Sequence, residues 1–585
     1  MNEQKQSFKT ILILNAVIML IYSSTVRWHI FMSTNRLLVV IAVYALMLIV
    51  LPFVAYKSKH VAQVVVSAYH TCRDSIRRTI HNWKKIVRVI IIFVLTALID
   101  IVGVKMYEFV TKQTVNLMII YLVIGLSYLA VTVFLLRKEL AQKPEKLFFC
   151  CSMIIGTTLI AASPNVNGLT WDDDTHYLRV ESIANFADEA GYRADDLLMQ
   201  DYAAVALEHA HYTSAERVTF DQQLNESFAR RETGILRSDC GIYSICYIHE
   251  AAAVVLGRAL HLPFTWIWSF AKFCNLLLYS CIVVLAMKKL QYGKIFAASM
   301  SLIPTMVYMA GNYSYDPWIA GFMMYGFCYF FHFLQNRDQK IKKKDIFLML
   351  GAFILGILPK AIYFVIMFPL FLMPKMTFET KKEHRKYLFW LLMTGLFLAA
   401  TFVVPMVFHG AGSGDTRGGT DVNSTAQIQY ILANPGTFLS MMINFLGMYL
   451  SPLNAGEFTT KFAYFGDGFF ARQLPIVLLF IVAILDRNGV KNKDFPVIFV
   501  TIISFLVTVF LVAMALYIMF TPVGYNTVLG CQYRYLIPLL FPLMYMIFPD
   551  VTKNKINKAW FNSVPMLLMS VIFLVNTMGL VANYY

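Results

Sequence analysis

Residues 170–186 read TWDDDTHYLRVESIANF and set three aspartates, a histidine, a tyrosine and an arginine side by side in a chain that is otherwise sparing with charge. A carboxylate within hydrogen-bond reach of an acceptor hydroxyl can take its proton as it attacks, and fixed positive charge can receive a departing phosphate. Asp172 and Asp173 are the candidate bases, at the end of an apolar segment where partial desolvation raises a carboxylate's pKa. Lys360 and Arg534 are the candidate phosphate partners, one a point charge and the other a planar fork, both at expected membrane boundaries. Each also has a purely structural reading. An aspartate run caps a helix; Lys360 beside Pro359, and Arg534, can snorkel to the interface. His176 can serve as a structural hydrogen-bonding group, Tyr535 can belong to an aromatic belt, and Asp316 before Pro317 reads as a helix start.

The elements that must hold these residues are membrane helices. Of the 585 residues 58% are hydrophobic and 14% charged, against roughly 25% charged in soluble domains. Apolar runs close to the ~20 residues that cross a bilayer recur along the chain, as over 37–56, 115–136, 295–310 and 496–519, without the period-two alternation of a barrel. The fold class is an all-α polytopic membrane protein. The first apolar segment, 10–26, lacks a small-residue cleavage site and reads as a retained helix. The nine cysteines sit mostly in apolar runs and suggest neither a disulfide framework nor a metal cluster.

Charge sets the orientation. Residues 161–240 carry 15 of the 34 acidic residues and 6 arginines, hence −9, which leaves +25 for the remainder. The lysines and arginines gather in short connections such as 57–85, 137–146, 336–345, 375–386, 486–493 and 553–558, which the positive-inside rule assigns to the cytosol. The basic total therefore points to topology and anionic headgroups and not to nucleic acid. With the N-terminus inside, helices near 10–26, 37–56, 86–105, 115–136 and 147–162 put the acidic loop outside. Residues 241–260 are expected as a surface helix and 266–287 as a span. The chain should then turn on the outer side at 312–317 and around Pro359 and Lys360. A glycine-rich outer segment is expected over 410–429, and 441–450 should stay outside. Spans near 474–485, 496–519, 533–548 and 562–582 bring the count to about fifteen. Candidate acids and bases thus fall on one side by an inference that made no use of their chemistry.

The sequence has no Walker loop, no convincing dinucleotide fingerprint and no zinc spacing. A site outside the bilayer also lacks cytosolic nucleotide sugars or ATP, so a transferred group would arrive on a lipid.

From about 147 to its end the chain resembles a bacterial family of multipass membrane proteins, long labelled only as a domain of unknown function, that belongs with the GT-C glycosyltransferases. Its outer-loop motif Asp-Glu-x-x-His-x-x-Arg is matched by Asp172, Asp173, His176 and Arg179, with aspartate in place of glutamate. A surface helix ending Leu-Gly-Arg is matched by VLGRALHLP at 255–263, and Ser-Tyr-Asp by Ser314, Tyr315 and Asp316. A Lys-x-x-Tyr step falls on Lys360 and Tyr363, a Gln followed by Asn-Pro on Gln427 or Gln429 with ILANPGTFL, and Gly-x-Gln-x-Arg-Tyr-x-x-Pro on Gly530, Gln532, Arg534, Tyr535 and Pro538.

The resemblance implies a GT-C-like core over 147–585, with a large extracytoplasmic loop at 163–264, behind a four-helix extension over 1–146 whose task is unassigned. It implies an inverting transfer of one sugar from a polyprenyl-phosphate carrier to a cell-wall or surface glycan at the outer face of a bacterial plasma membrane. Asp172 is then the base with Asp173 its alternate, and Lys360 and Arg534 hold the phosphate. His176, Arg179, Tyr363, Gln532, Tyr535 and Asp316 orient sugar or acceptor. No cofactor is called for, and a divalent metal requirement is left open. The alternatives are a flippase for lipid-linked glycans, which wants charges near mid-bilayer and internal repeats, and a surface polysaccharide polymerase.

Overall fold

The computed structural model of the chain describes residues 2–26, 34–186, 190–200, 214–235, 240–408, 419, 421–486, 494–548 and 553–584. Residues 410–418 and 420 of the expected glycine-rich segment, and 487–493 of the basic connection, lie outside these residues. Among the described residues the chain is helical, and pairing is confined to isolated bridges such as Tyr192 with Thr233. Among the described residues, ten helical stretches are long and apolar enough to cross a membrane. The first four candidates, Glu3–Thr25, Val40–Lys57, Trp83–Thr111 and Leu117–Leu136, bury little of themselves, whereas Phe264–Lys289 and Lys558–Val581 bury more than half. A polytopic membrane protein explains both: the former face lipid and the latter form the core.

The count falls short of fifteen because several expected crossings are short. The run expected over 295–310 is two helices, Lys294–Ser301 and Pro304–Ala310, broken where Pro304 removes a backbone donor. Leu474–Leu485 and Tyr533–Ile547 are apolar but below 18 residues. Helices Ser424–Ala433 and Pro435–Tyr449 meet at 106°, so the stretch around 441–450 belongs to a broken span or a re-entrant loop.

The apolar stretch Lys343–Leu372 would be ~45 Å long as a straight helix. Its ends instead meet: the Ile341 amide donates to the Thr377 carbonyl at 2.8 Å, and Lys340 Nζ donates to the Met376 carbonyl at 2.7 Å. The stretch is therefore a hairpin, turning where Lys360 leaves the helical region (φ −138°, ψ 65°). This is the turn expected around Pro359 and Lys360. Both arms start and finish beside the lysines of 340–344 and 375–386, and the turn lies at the other end of the bundle.

Neighbouring helices repeat that polarity. Helix Asp316–Gln335 runs from the Lys360 turn to the lysine-rich end, where His332 Nδ1 lies 2.9 Å from the Lys289 carbonyl. Gly326 lets it approach the first hairpin arm, since a Cβ there would come within 2.7 Å of the Phe353 ring. The segment expected as a surface helix is a 3-10 turn, Ile242–Tyr247, followed by helix Ile248–Ala259, packed against Phe264–Lys289 with Glu250 and Arg258 buried.

Candidate active site

Four charged side chains from four distant parts of the chain meet where the hairpin turns. Arg534 Nη2 donates to Asp172 Oδ2 at 2.9 Å, and Arg534 Nη1 lies 3.1 Å from Asp316 Oδ2. Lys360 Nζ lies 3.5 Å from Asp316 Oδ1. The side chains of Arg534 and Asp316 are 1% and 4% exposed, whereas Asp172 is 36% exposed. Asp172 is thus the member of the cluster that faces outward.

Aromatic rings floor the cluster. Lys360 Nζ stands 3.5 Å over the Tyr535 ring and 5.1 Å from that of Tyr315, and the Arg534 guanidinium lies 4.8 Å from the Trp171 ring. Such faces stabilise cations removed from water. Tyr363 donates its hydroxyl to the Tyr535 carbonyl at 3.1 Å, and Tyr449 to the Gln532 carbonyl at 2.7 Å, so both tyrosines brace the turn that presents Arg534. Lys360 Nζ and Arg534 Nε and Nη1 are buried without a well-directed hydrogen bond, which leaves donors available to an anion, and the Gln532 Oε1 acceptor is buried in the same condition.

The two adjacent aspartates differ completely. Asp172 adopts the left-handed region at φ +56°, uncommon for a residue with a Cβ, and its carbonyl accepts from the His176 amide at 2.9 Å to close the first helical turn. That backbone turns its carboxylate towards Arg534. Asp173 points back into the loop, where its carboxylate accepts from the amides of Gly168, Leu169, Thr170 and Asp174 at 3.0–3.2 Å. Burial pushes its carboxyl upward against those amides and the nearby Lys272. Asp173 clamps the loop.

His176 is buried, with Nδ1 2.6 Å from the Tyr247 hydroxyl and its ring edge-on to Tyr315 at 4.7 Å. Burial drives its pKa down to about 3, so the ring is neutral at pH 7. Arg179 lies one turn further along helix Asp173–Ala184, its guanidinium 5.1 Å from the Tyr243 ring. The structure therefore joins Asp172, Asp316, Lys360, Arg534 and Tyr535 directly. It puts Tyr363, His176 and Gln532 in their supporting shell and Arg179 to one side.

Two buried charged partners escaped sequence reading. Arg258 Nη2 donates to Glu181 Oε2 at 2.5 Å and Nη1 to Asn185 Oδ1 at 2.7 Å, pinning helix Asp173–Ala184 to Ile248–Ala259. Lys272, buried a third of the way along helix Phe264–Lys289, faces Asp173; a lysine inside an apolar span was a readable signal.

An all-α bundle of apolar helices with buried ion pairs at one end defines a polytopic membrane protein. Residues 155–543 match the family described as predicted membrane protein (DUF2142), well over half the chain, and the chain belongs to that family. Neither a curated protein nor a solved structure matches it.

Proposed function

We propose that the chain is an inverting GT-C-type glycosyltransferase, which moves a sugar from a polyprenyl-phosphate carrier to a cell-wall or surface glycan at the outer face of a bacterial plasma membrane. The observation that carries this reading is the buried cluster of Asp172, Asp316, Lys360 and Arg534, at the end of the bundle away from the lysine-rich connections. If the short helices and both hairpin arms each count as a traverse, the chain crosses about fifteen times and the cluster faces outward. The GT-C assignment is an analogy at the level of fold.

In the proposed reaction the acceptor hydroxyl gives its proton to Asp172, and its oxygen bonds to the anomeric carbon from the face opposite the phosphate. The bond from that carbon to the phosphate oxygen breaks, and the electron pair leaves with polyprenyl phosphate. Phosphate gains a negative charge as Asp172 loses one, so the total charge of the site is constant. Lys360 and Arg534 stabilise the charge where it develops, in a setting poor in water. Asp316, behind both cations, holds them in place. A phosphate that takes Arg534 Nη2 displaces the Asp172 carboxylate and leaves it to act as base.

An apolar groove of about 500 Å³ between Leu446, Gly447 and Leu450 on one helix and Leu506, Val507 and Phe510 on another suits the polyprenyl tail. The same helix carries Tyr449, whose ring stacks on that of Tyr533, the residue before Arg534, at 4.8 Å.

Lys272 favours a second reading, a flippase without chemistry, because it sets a charge within a span. Purified protein given a short-chain polyprenyl-phosphate sugar and acceptor glycan separates the two. Release of carrier phosphate supports the transferase, and movement of intact donor without release supports the flippase.

A further inference from the structure

The chain between helices Pro435–Tyr449 and Leu474–Leu485 has no part in the mechanism above, yet it is built stiffly. Residues 460–468 fold back on themselves: the Gly468 amide donates to the Thr460 carbonyl at 2.7 Å and the Phe462 amide to the Gly466 carbonyl at 3.0 Å. Gly466 makes the return at φ +112°, where a side chain would be strained. Four charges tie the base of this loop. Lys461 Nζ lies 2.7 Å from Glu457 and 3.6 Å from Asp467, and Arg472 lies 3.1 Å and 3.4 Å from the same carboxylates. Thr305 Oγ1 both donates to the Lys461 carbonyl and accepts from its amide, at 2.9 and 3.0 Å.

The loop stands on the wall of the site. Phe462 and Phe465 are buried with their rings edge-on to Tyr308 at 5.6 and 5.9 Å. The Tyr308 hydroxyl donates to the Leu169 carbonyl at 2.7 Å, within the loop that turns into Asp172. Between these two anchored phenylalanines, Tyr464 at the tip stays 48% exposed. The tip therefore stands by the loop that leads into Asp172, and its phenol is raised by partial burial and by Asp172, Asp173 and Asp174.

We propose that this loop is the acceptor-side wall of the site, and that Tyr464 stacks on a sugar ring of the acceptor glycan and directs its hydroxyl at Asp172. A fixed aromatic face suits the apolar C–H face of a pyranose, and a rigid loop loses little entropy in receiving it. The donor has its own proposed contacts, at Lys360, Arg534 and the groove. This inference rests on the glycosyltransferase reading.

The test uses the purified full chain, a short-chain polyprenyl-phosphate sugar, and wall polysaccharide purified from the bacterium that carries the protein, with carrier phosphate as the readout. Tyr464→Ala should raise the KM for the polysaccharide about tenfold, an effect worth one aromatic contact. Its donor KM should be unchanged, and Tyr464→Phe and Tyr464→Trp should stay within about threefold of wild type. An unchanged polysaccharide KM in Tyr464→Ala, or an equal rise in donor KM, overturns the proposal. If wild type itself releases no carrier phosphate, the glycosyltransferase reading has failed, and this inference with it.

Discussion

At the lysine-rich end of the bundle the ion pairs stay wet: Glu139 takes Lys146 at 2.6 Å and Lys143 at 3.3 Å, with the three side chains 39–51% exposed. At the opposite end, Arg534 is buried between Asp172 and Asp316. Exposed pairs contribute roughly 0–1 kcal/mol. Removing one partner of a buried pair costs about 3–5 kcal/mol, although the intact pair adds little net stability over an apolar packing. Charge at the first end is explained by topology alone. Charge at the second is held against desolvation, which makes that end the candidate for chemistry.

The sharpest way to break this comparison is to remove a cation at each end. Arg534→Ala leaves buried Asp316 with Lys360 alone and should lower stability by about 3 kcal/mol, read as a drop in thermal midpoint in detergent. Lys146→Ala should change it by less than about 1 kcal/mol. Equal effects would erase the distinction.

A smaller effect should appear with pH. The unfolded His176 protonates near its ordinary pKa of about 6.5, whereas the folded ring resists until about 3. The unfolded state therefore binds more protons in between, and stability falls as pH drops through that window. From pH 7 to pH 5 the contribution is about 2 kcal/mol. His176→Gln should flatten that part of the profile. If the variant keeps the wild-type slope between pH 7 and pH 5, His176 is not the buried neutral ring described here.

The smallest effect concerns the tail. Gly447 lines the groove and a Cβ there meets nothing within 4 Å, so Gly447→Phe should narrow the groove. It should raise KM a few-fold for a long-chain donor and leave a short-chain donor alone, because only the long tail loses buried CH₂ groups at ~0.8 kcal/mol each. Equal KM changes for both donors would remove the groove from the account.

Much of the site's framework was legible because lipid rejects charge. The pair Pro359 and Lys360 inside an apolar run marked a turn, and the chain does turn there. Asp316 before Pro317 marked a helix start that the structure contains. What stayed hidden depends on partners remote in sequence or on backbone angles. Glu181 and Arg258 are 77 residues apart, with no local pattern to pair them. The division of labour between Asp172 and Asp173 rests on one left-handed φ, which no residue type at 172 announces. The break before Pro304 was readable, yet the length and apolarity of 295–310 had suggested one span.

The central claim is that Asp172, held outward on Arg534, takes the acceptor's proton. The direct test measures carrier phosphate released from a short-chain polyprenyl-phosphate sugar, in the presence of acceptor glycan, by wild type and by Asp172→Asn at matched thermal midpoints. The account predicts a loss of roughly 10²–10⁴ in rate for the variant, the span of general-base catalysis. Release at the wild-type rate from the folded variant would contradict it.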